Sequence, residues 1–146
     1  MVFRKENVIE RLKKLEAVLA RLNEKAGFDF EEYQQNTDLQ WIVERGLEVA
    51  SSTILDLGNH ILAGAFKTPA DEYEQILQGL HQNHVLSGDV YKELKGLGGF
   101  RNILVHGYLN INPELVYGHY QKALKTFPGF IFEIEMWLEQ NEQFFS

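Results

Sequence analysis

The 146-residue chain carries 45% hydrophobic and 24% charged residues, the composition of one compact globular domain and not of a disordered segment. Its formal net charge of −7 speaks against a surface that binds nucleic acid indiscriminately, while leaving room for a local basic cleft or a basic partner. Cysteine is absent, which excludes disulfides, thiol catalysis and thiolate metal sites and suits a reducing cytoplasm, the expected location.

The opening residues MVFRKENVIERLKK are charged from the start and lead into no apolar core of a secretory signal. Val8, Ile9, Leu12, Leu15, Leu19 and Leu22 recur at helical spacing with charges between them. They predict an amphipathic helix ending near Lys25, with Gly27 as its stop. The stretch FDFEEYQQN fits a turn or a short helix. Thr37 and Gln40 have the spacing of a capping box. A long helix should follow through Leu39, Ile42, Val43, Leu47, Ala50, Ile54, Leu57 and Ile61, with Gly64 as terminator. Thr68-Pro69 reads as an N-cap with Pro at the first helical position, and Asp71 and Glu72 complement the dipole of the helix it would start. Tyr73, Ile76, Leu77 and Leu80 give that helix a short apolar face. Ser87 should start another, with Val90, Leu94, Leu97 and Leu104 as its stripe. Asn112-Pro113 opens the last helix, whose face runs from Leu115, Val116, Tyr120, Leu124 and Phe127 to Ile131, Ile134 and Leu138, with a kink expected at Pro128 beside Gly129.

No segment alternates as a strand, and no run approaches the roughly 18 apolar residues of a membrane helix. With short connections and no repeat or linker, residues 1–146 should form a single all-α domain, an up-and-down bundle of four to five helices.

The helix after Ser87 carries the chemistry. An ideal helix advances about 100° per residue, which puts Val90, Leu94, Leu97, Phe100 and Leu104 on one apolar arc. Lys95, Gly98, Arg101, Asn102, Val105 and His106 fall on the adjacent arc, flanking the buried stripe where a groove or a dimer seam would lie. Gly96, Gly98 and Gly99 each cost about 1 kcal/mol relative to Ala inside a helix. Either GLGG permits a close approach of another element, or it is a break before the helix resumes. KGLGG lacks the Lys-Ser/Thr ending and preceding strand of a phosphate loop. His81 and His84 are spaced to share a metal, but no third ligand completes a set, and no metal or other cofactor is expected. His60 reads as structural or as lining the same groove, and Glu44-Arg45 as an ion pair or a cleft contribution. Trp41, Phe127, Phe130, Phe132 and Trp137 suit a core or a dimer interface, and Tyr117 could stack on a base.

The segment RNILVHGY, an Arg-x4-His followed two residues later by Tyr, resembles the signature of HepT-like toxins in the HEPN superfamily. The preceding GLGGF, the long helix carrying WIVERGLEVASSTILDLGNHIL and the long last helix resemble the same family in order and length. The resemblance implies a HEPN-like bundle and a metal-independent endoribonuclease that works as a homodimer on RNA. It implies that Arg101 and His106 match the catalytic pair, that Asn102 matches a supporting polar residue, and that Tyr108 matches the tyrosine AMPylated by an MntA-type nucleotidyltransferase antitoxin.

Elementary chemistry is consistent with this. Metal-free RNA cleavage needs a base for the 2′-hydroxyl and an acid for the leaving oxygen, and histidine can serve as either. Arginine stays charged and can hold phosphate oxygens while charge builds on phosphorus. One chain supplies one such His, so two copies across a two-fold axis would supply both acid and base. Asn102, one turn from His106, could orient the imidazole. Nucleotides added to Tyr108, about two turns from Arg101, would bring bulk and negative charge to the site. Taken alone, Arg101 could be a surface ion-pair partner, His106 a helix-end cation and Tyr108 a helix-end aromatic. Two other functions fit the same bundle: a non-catalytic HEPN subunit that docks a nucleotidyltransferase and assists its substrate or nucleotide binding, and a plain dimerisation domain.

Overall fold

A computed structural model describes residues 3–107 and 109–145. Seven α-helices form among them: α1 (Lys5–Glu24), α2 (Phe30–Gln35), α3 (Thr37–Ala65), α4 (Tyr73–Gln82), α5 (Gly88–Leu94), α6 (Leu97–His106) and α7 (Pro113–Gln140), followed by a 3-10 turn at Glu142–Phe144. The fold is all-α, as expected. The count exceeds four to five because the FDFEEYQQN stretch is helical and the helix predicted from Ser87 is split in two.

Apolar periodicity decides the layout. Val8, Leu12, Leu15, Leu19 and Leu22 bury the inner face of α1. Leu47, Ile54, Leu57 and Ile61 of α3 are fully buried, as are Val116, Phe130 and Ile134 of α7. α1 and α3 run antiparallel: Leu22 packs on Gly46, Arg11 pairs with Asp56 at 2.8 Å, and Phe3 lies on Gly64. α7 also runs antiparallel to α1, since the Tyr120 hydroxyl donates to the Leu22 carbonyl at 2.7 Å while Lys5 pairs with Glu142 at 2.7 Å. α6 then lies antiparallel to α3, completing an up-down-up-down arrangement of α1, α3, α6 and α7.

Three predicted helix ends differ. Asn36, and not Thr37, caps α3, because α2 continues to Gln35 and leaves only Asn36 outside both helices; its side chain accepts from the Leu39 N–H at 3.0 Å. Gln40 therefore donates to the carbonyls of Tyr33 and Gln34 at the end of α2, at 3.0 and 2.9 Å. Gly64 does not end α3 but sits inside its last turn, where the missing side chain admits the Phe3 ring. Thr68-Pro69 starts no helix. Asn59 of α3 clasps Ala70 through both its N–H and its carbonyl, at 2.8 and 3.2 Å, and α4 begins only at Tyr73. The other ends agree with expectation: Lys25 closes α1, Ser87 caps α5, and Asn112 caps α7 with Pro113 at its first position. α7 passes through Pro128 uninterrupted, so no break marks the expected kink.

Of the two readings of GLGG, each holds at a different glycine. Gly96 adopts φ 87°, a left-handed conformation that separates α5 from α6, and its N–H donates to the Glu74 carboxylate at 2.5 Å. Gly98 is buried, and a Cβ there would fall on the Cβ of Tyr73, whereas a Cβ on Gly99 meets nothing within 4 Å. Opposite effects are therefore expected. Gly98→Ala should destabilise by about 1–3 kcal/mol, because the Tyr73 Cβ is fixed to its backbone and α4 must shift. Gly99→Ala should stabilise by up to about 1 kcal/mol through helix propensity. Urea denaturation of the two variants checks this, and equal midpoints would contradict the packing.

Among the described residues no helix is long and apolar enough to cross a membrane.

Candidate active site

α6 presents its motif along a gradient of exposure. Leu97, Phe100 and Leu104 are buried, Arg101 is half-buried beside them, and Asn102 and His106 are exposed. The Arg101 Nε donates to the Ser52 hydroxyl on α3 at 3.1 Å, and its guanidinium lies 5.6 Å from the centroid of the Tyr73 ring. Its Nη1 reaches the Asn102 side-chain oxygen at 3.5 Å. Gly98 allows Tyr73 to come this close. Ser52, Asp56, Asn59, Tyr73 and Arg101 line an open groove of about 290 Å³. One edge of the guanidinium is thus braced by protein, which leaves terminal N–H groups to receive an anion.

His106 is the last residue of α6, and Gly107 follows as its C-cap, donating to the Ile103 carbonyl at 2.8 Å. No hydrogen bond or ion pair links His106 to another described residue. Five residues apart, Arg101 and His106 project about 140° apart around the helix. Arg101 and Asn102 therefore meet within one protomer, while His106 faces outward. Ile103, one turn before it on α6, and Leu109, just past the helix end, are 39% and 80% exposed. Tyr108 lies outside the described residues.

The remaining candidates take structural positions. His60 packs on the Phe3 ring at 5.4 Å instead of lining the Arg101 groove; burial, and then the charge of Arg11, lowers its pKa. His81 Nδ1 lies 3.1 Å from the Leu86 carbonyl and its ring stacks on Tyr91, while His84 adopts φ 62° in the turn after α4. Among the described residues no group of three or more His, Asp or Glu is placed to hold a metal ion. Arg45 pairs with Glu48 at 2.7 Å and not with Glu44, whose carboxyl is raised in pKa by burial. Tyr117 sits in an aromatic cluster with Phe28, Phe30 and Tyr33. Phe127, Phe130 and Trp137 are core, whereas Trp41 and Phe132 are exposed. Ser52 and Tyr73 were not singled out by the sequence: a serine in the run Ser51-Ser52-Thr53 carries no signal, and Tyr73 reads as one more apolar helix position.

The family model described as "Ribonuclease HepT-like" matches residues 7–134. The chain is 25% identical over 133 residues to a tRNA nuclease HepT of Aphanizomenon flos-aquae, covering 91% of this chain and 90% of that one. It is 27% identical over 128 residues to an mRNA nuclease HepT of Shewanella oneidensis, covering 85% of this chain and 92% of that one. The fold is similar to a solved tri-AMPylated Shewanella oneidensis HEPN toxin in complex with MNT antitoxin, with a TM-score of 0.78, 26% identity, and 88% of this chain and 96% of that one covered. With most of its length matched by the family model and an Arg-x4-His helix at its groove, the chain belongs to the HepT-like ribonuclease family.

Proposed function

We infer that this protein is a metal-independent endoribonuclease toxin, active as a homodimer and silenced by AMPylation of Tyr108 by a cognate MntA-type nucleotidyltransferase antitoxin. The observation that carries this is Arg101, half-buried and held on one edge by Ser52 and Tyr73, at a groove on the helix that ends in His106. Arg101 holds the non-bridging oxygens of the scissile phosphate. His106 of one protomer takes the proton of the ribose 2′-hydroxyl as its oxygen attacks phosphorus. The His106 of the second copy gives a proton to the departing 5′-oxygen. The products are a 2′,3′-cyclic phosphate and a 5′-hydroxyl, so atoms and charge balance without water or metal. Asn102, in contact with Arg101, orients the phosphate or the imidazole.

Two features support the dimer. One protomer offers a single His106, turned away from its own Arg101, and the apolar Ile103 and Leu109 flank it. A two-fold seam there covers apolar surface and brings the two motifs into one cleft. Modification fits the same chemistry. The Tyr108 hydroxyl attacks the α-phosphate of ATP, pyrophosphate departs, and the added phosphate places negative charge near the site that must receive RNA.

The test is cleavage of tRNA and mRNA by the purified protein in chelator, with end-group analysis of the products and intact-mass measurement of the protein. Cleavage to 2′,3′-cyclic ends by unmodified protein is expected, with loss of activity when mass increments of AMP appear. Inert, unmodified protein would overturn the reading in favour of a non-catalytic subunit that docks the nucleotidyltransferase.

A further inference from the structure

A second groove lies on the same side of α3, beyond Arg45. It encloses about 380 Å³ between α1 and the N-terminal half of α3. Its floor is apolar, with Val18, Ile42 and Val49; its rim carries Lys14, Arg21 and Arg45, and no carboxylate lines it. Trp41 stands at its end with 67% of its surface exposed. In a chain of net charge −7, Lys14 and Arg21 stand here without an ion pair among the described residues, beside Arg45, which pairs with Glu48 at 2.7 Å.

The spacing joins this groove to the candidate active site. Trp41, Arg45, Ser52 and Asp56 are four, seven and four residues apart, which places them on one stripe of α3. Ser52 is the residue that braces Arg101. The stripe therefore leads from the Arg101 guanidinium past Arg45 to Trp41. Along the track Arg45 pairs with Glu48 at 2.7 Å, and the cations without an ion pair among the described residues are Lys14 and Arg21 across the groove on α1.

We propose that the groove between Trp41, Lys14, Arg21 and Arg45 is a subsite for single-stranded RNA, holding the nucleotides that flank the phosphate bound at Arg101. A base stacks on Trp41, and the neighbouring phosphates lie on Lys14 and Arg21. A second copy of this chain fits the groove less well. A two-fold contact centred here would set Lys14 and Arg21 against their own copies, with no carboxylate in the lining to meet them. The subsite rests on the ribonuclease reading, since RNA is the substrate of that reaction, but its binding can be measured without cleavage.

The experiment titrates the full-length protein with single-stranded 2′-O-methyl RNA of about 12 nucleotides, which cannot cyclise and so is not cut. Of the two tryptophans, Trp137 is 5% exposed, so quenching of fluorescence reports Trp41. Quenching by the RNA is expected, with about tenfold weaker binding for Trp41→Ala. The double variant Lys14→Gln/Arg21→Gln should bind more weakly and flatten the dependence of log affinity on log salt by about 1.4. Phe132→Ala, an exposed aromatic change on α7, should bind as wild type does. Unchanged affinity and salt slope in both groove variants would overturn the proposal, as would absence of quenching in the wild type. Conversion of a dimer to monomer by Trp41→Ala in sedimentation would also overturn it, and assign the face to contact between copies. Cleavage with no Trp41-dependent binding removes only the subsite; Trp41-dependent binding with no cleavage by the wild type removes only the catalytic reading.

Discussion

Replacing His106 by Gln should lower RNA cleavage by about 10²–10⁴-fold while leaving the fold intact. The size of the loss follows from the role. Glutamine keeps the approximate length and a hydrogen-bonding end, but it can neither accept the 2′-hydroxyl proton nor deliver one to the leaving oxygen at neutral pH. The fold should be indifferent because His106 is exposed at the end of α6 and has no described partner to lose. In a dimer that uses two copies, the variant removes both acid and base. Mixed dimers of one His106→Gln chain and one wild-type chain should then show far less than half the wild-type rate. Cleavage within twofold of wild type by the pure variant dimer would exclude His106 from the chemistry. A rate near half in the mixed dimers would instead place a complete site in each protomer.

Arg101→Lys should cost about 10²-fold in kcat, although the charge is retained. Lysine lacks the planar fork that grips two phosphate oxygens, and it cannot present an edge to Ser52 while the opposite edge faces the substrate. The Nε–Ser52 bond at 3.1 Å would be lost, along with the guanidinium face on Tyr73. That loss should cost about 1 kcal/mol of stability, or a Tm lower by about 2–4 °C. Ser52→Ala separates the two effects. It keeps Arg101 but frees its edge, so kcat should fall several-fold with KM little changed, and Ser52→Thr should restore it. If Ser52→Ala alters only stability, Ser52 merely packs and does not position Arg101. If Arg101→Lys retains full activity, a point charge suffices and the braced geometry is immaterial.

Helical class and most of the buried stripes could be read from local periodicity, whereas Ile42 and Leu115, expected on those stripes, are 42% and 38% exposed, and the helix expected from Ser87 breaks at Gly96. Val8 to Leu22, Leu47 to Ile61 and Val116 to Leu138 lie buried where their spacing places them, because an apolar face at helical period has few other ways to leave water. Asn112-Pro113 was equally legible, since a cap and its helix are neighbours in the chain. Where two capping residues adjoin, as at Asn36-Thr37, propensity could not choose. The extent of α2 chose instead, by leaving only Asn36 outside both helices. Thr68-Pro69 had the local signature of a helix start, but the Asn59 clasp on Ala70, eleven residues away, holds that stretch of chain out of a helix.

Spacing along the chain was enough for the all-helical class, most of the core and the segment that holds the candidate residues Arg101 and His106, because these rest on contacts within a few residues along one helix. Tertiary structure alone decided what surrounds Arg101. Ser52 is 49 residues away and Tyr73 meets Arg101 only because Gly98 lets α4 approach, so no pattern along the chain could pair them. The same holds for the cationic groove, whose walls come from Lys14 and Arg21 on one helix and Trp41 and Arg45 on another. Side chains that are unremarkable in order become a site only when antiparallel helices bring their exposed edges side by side.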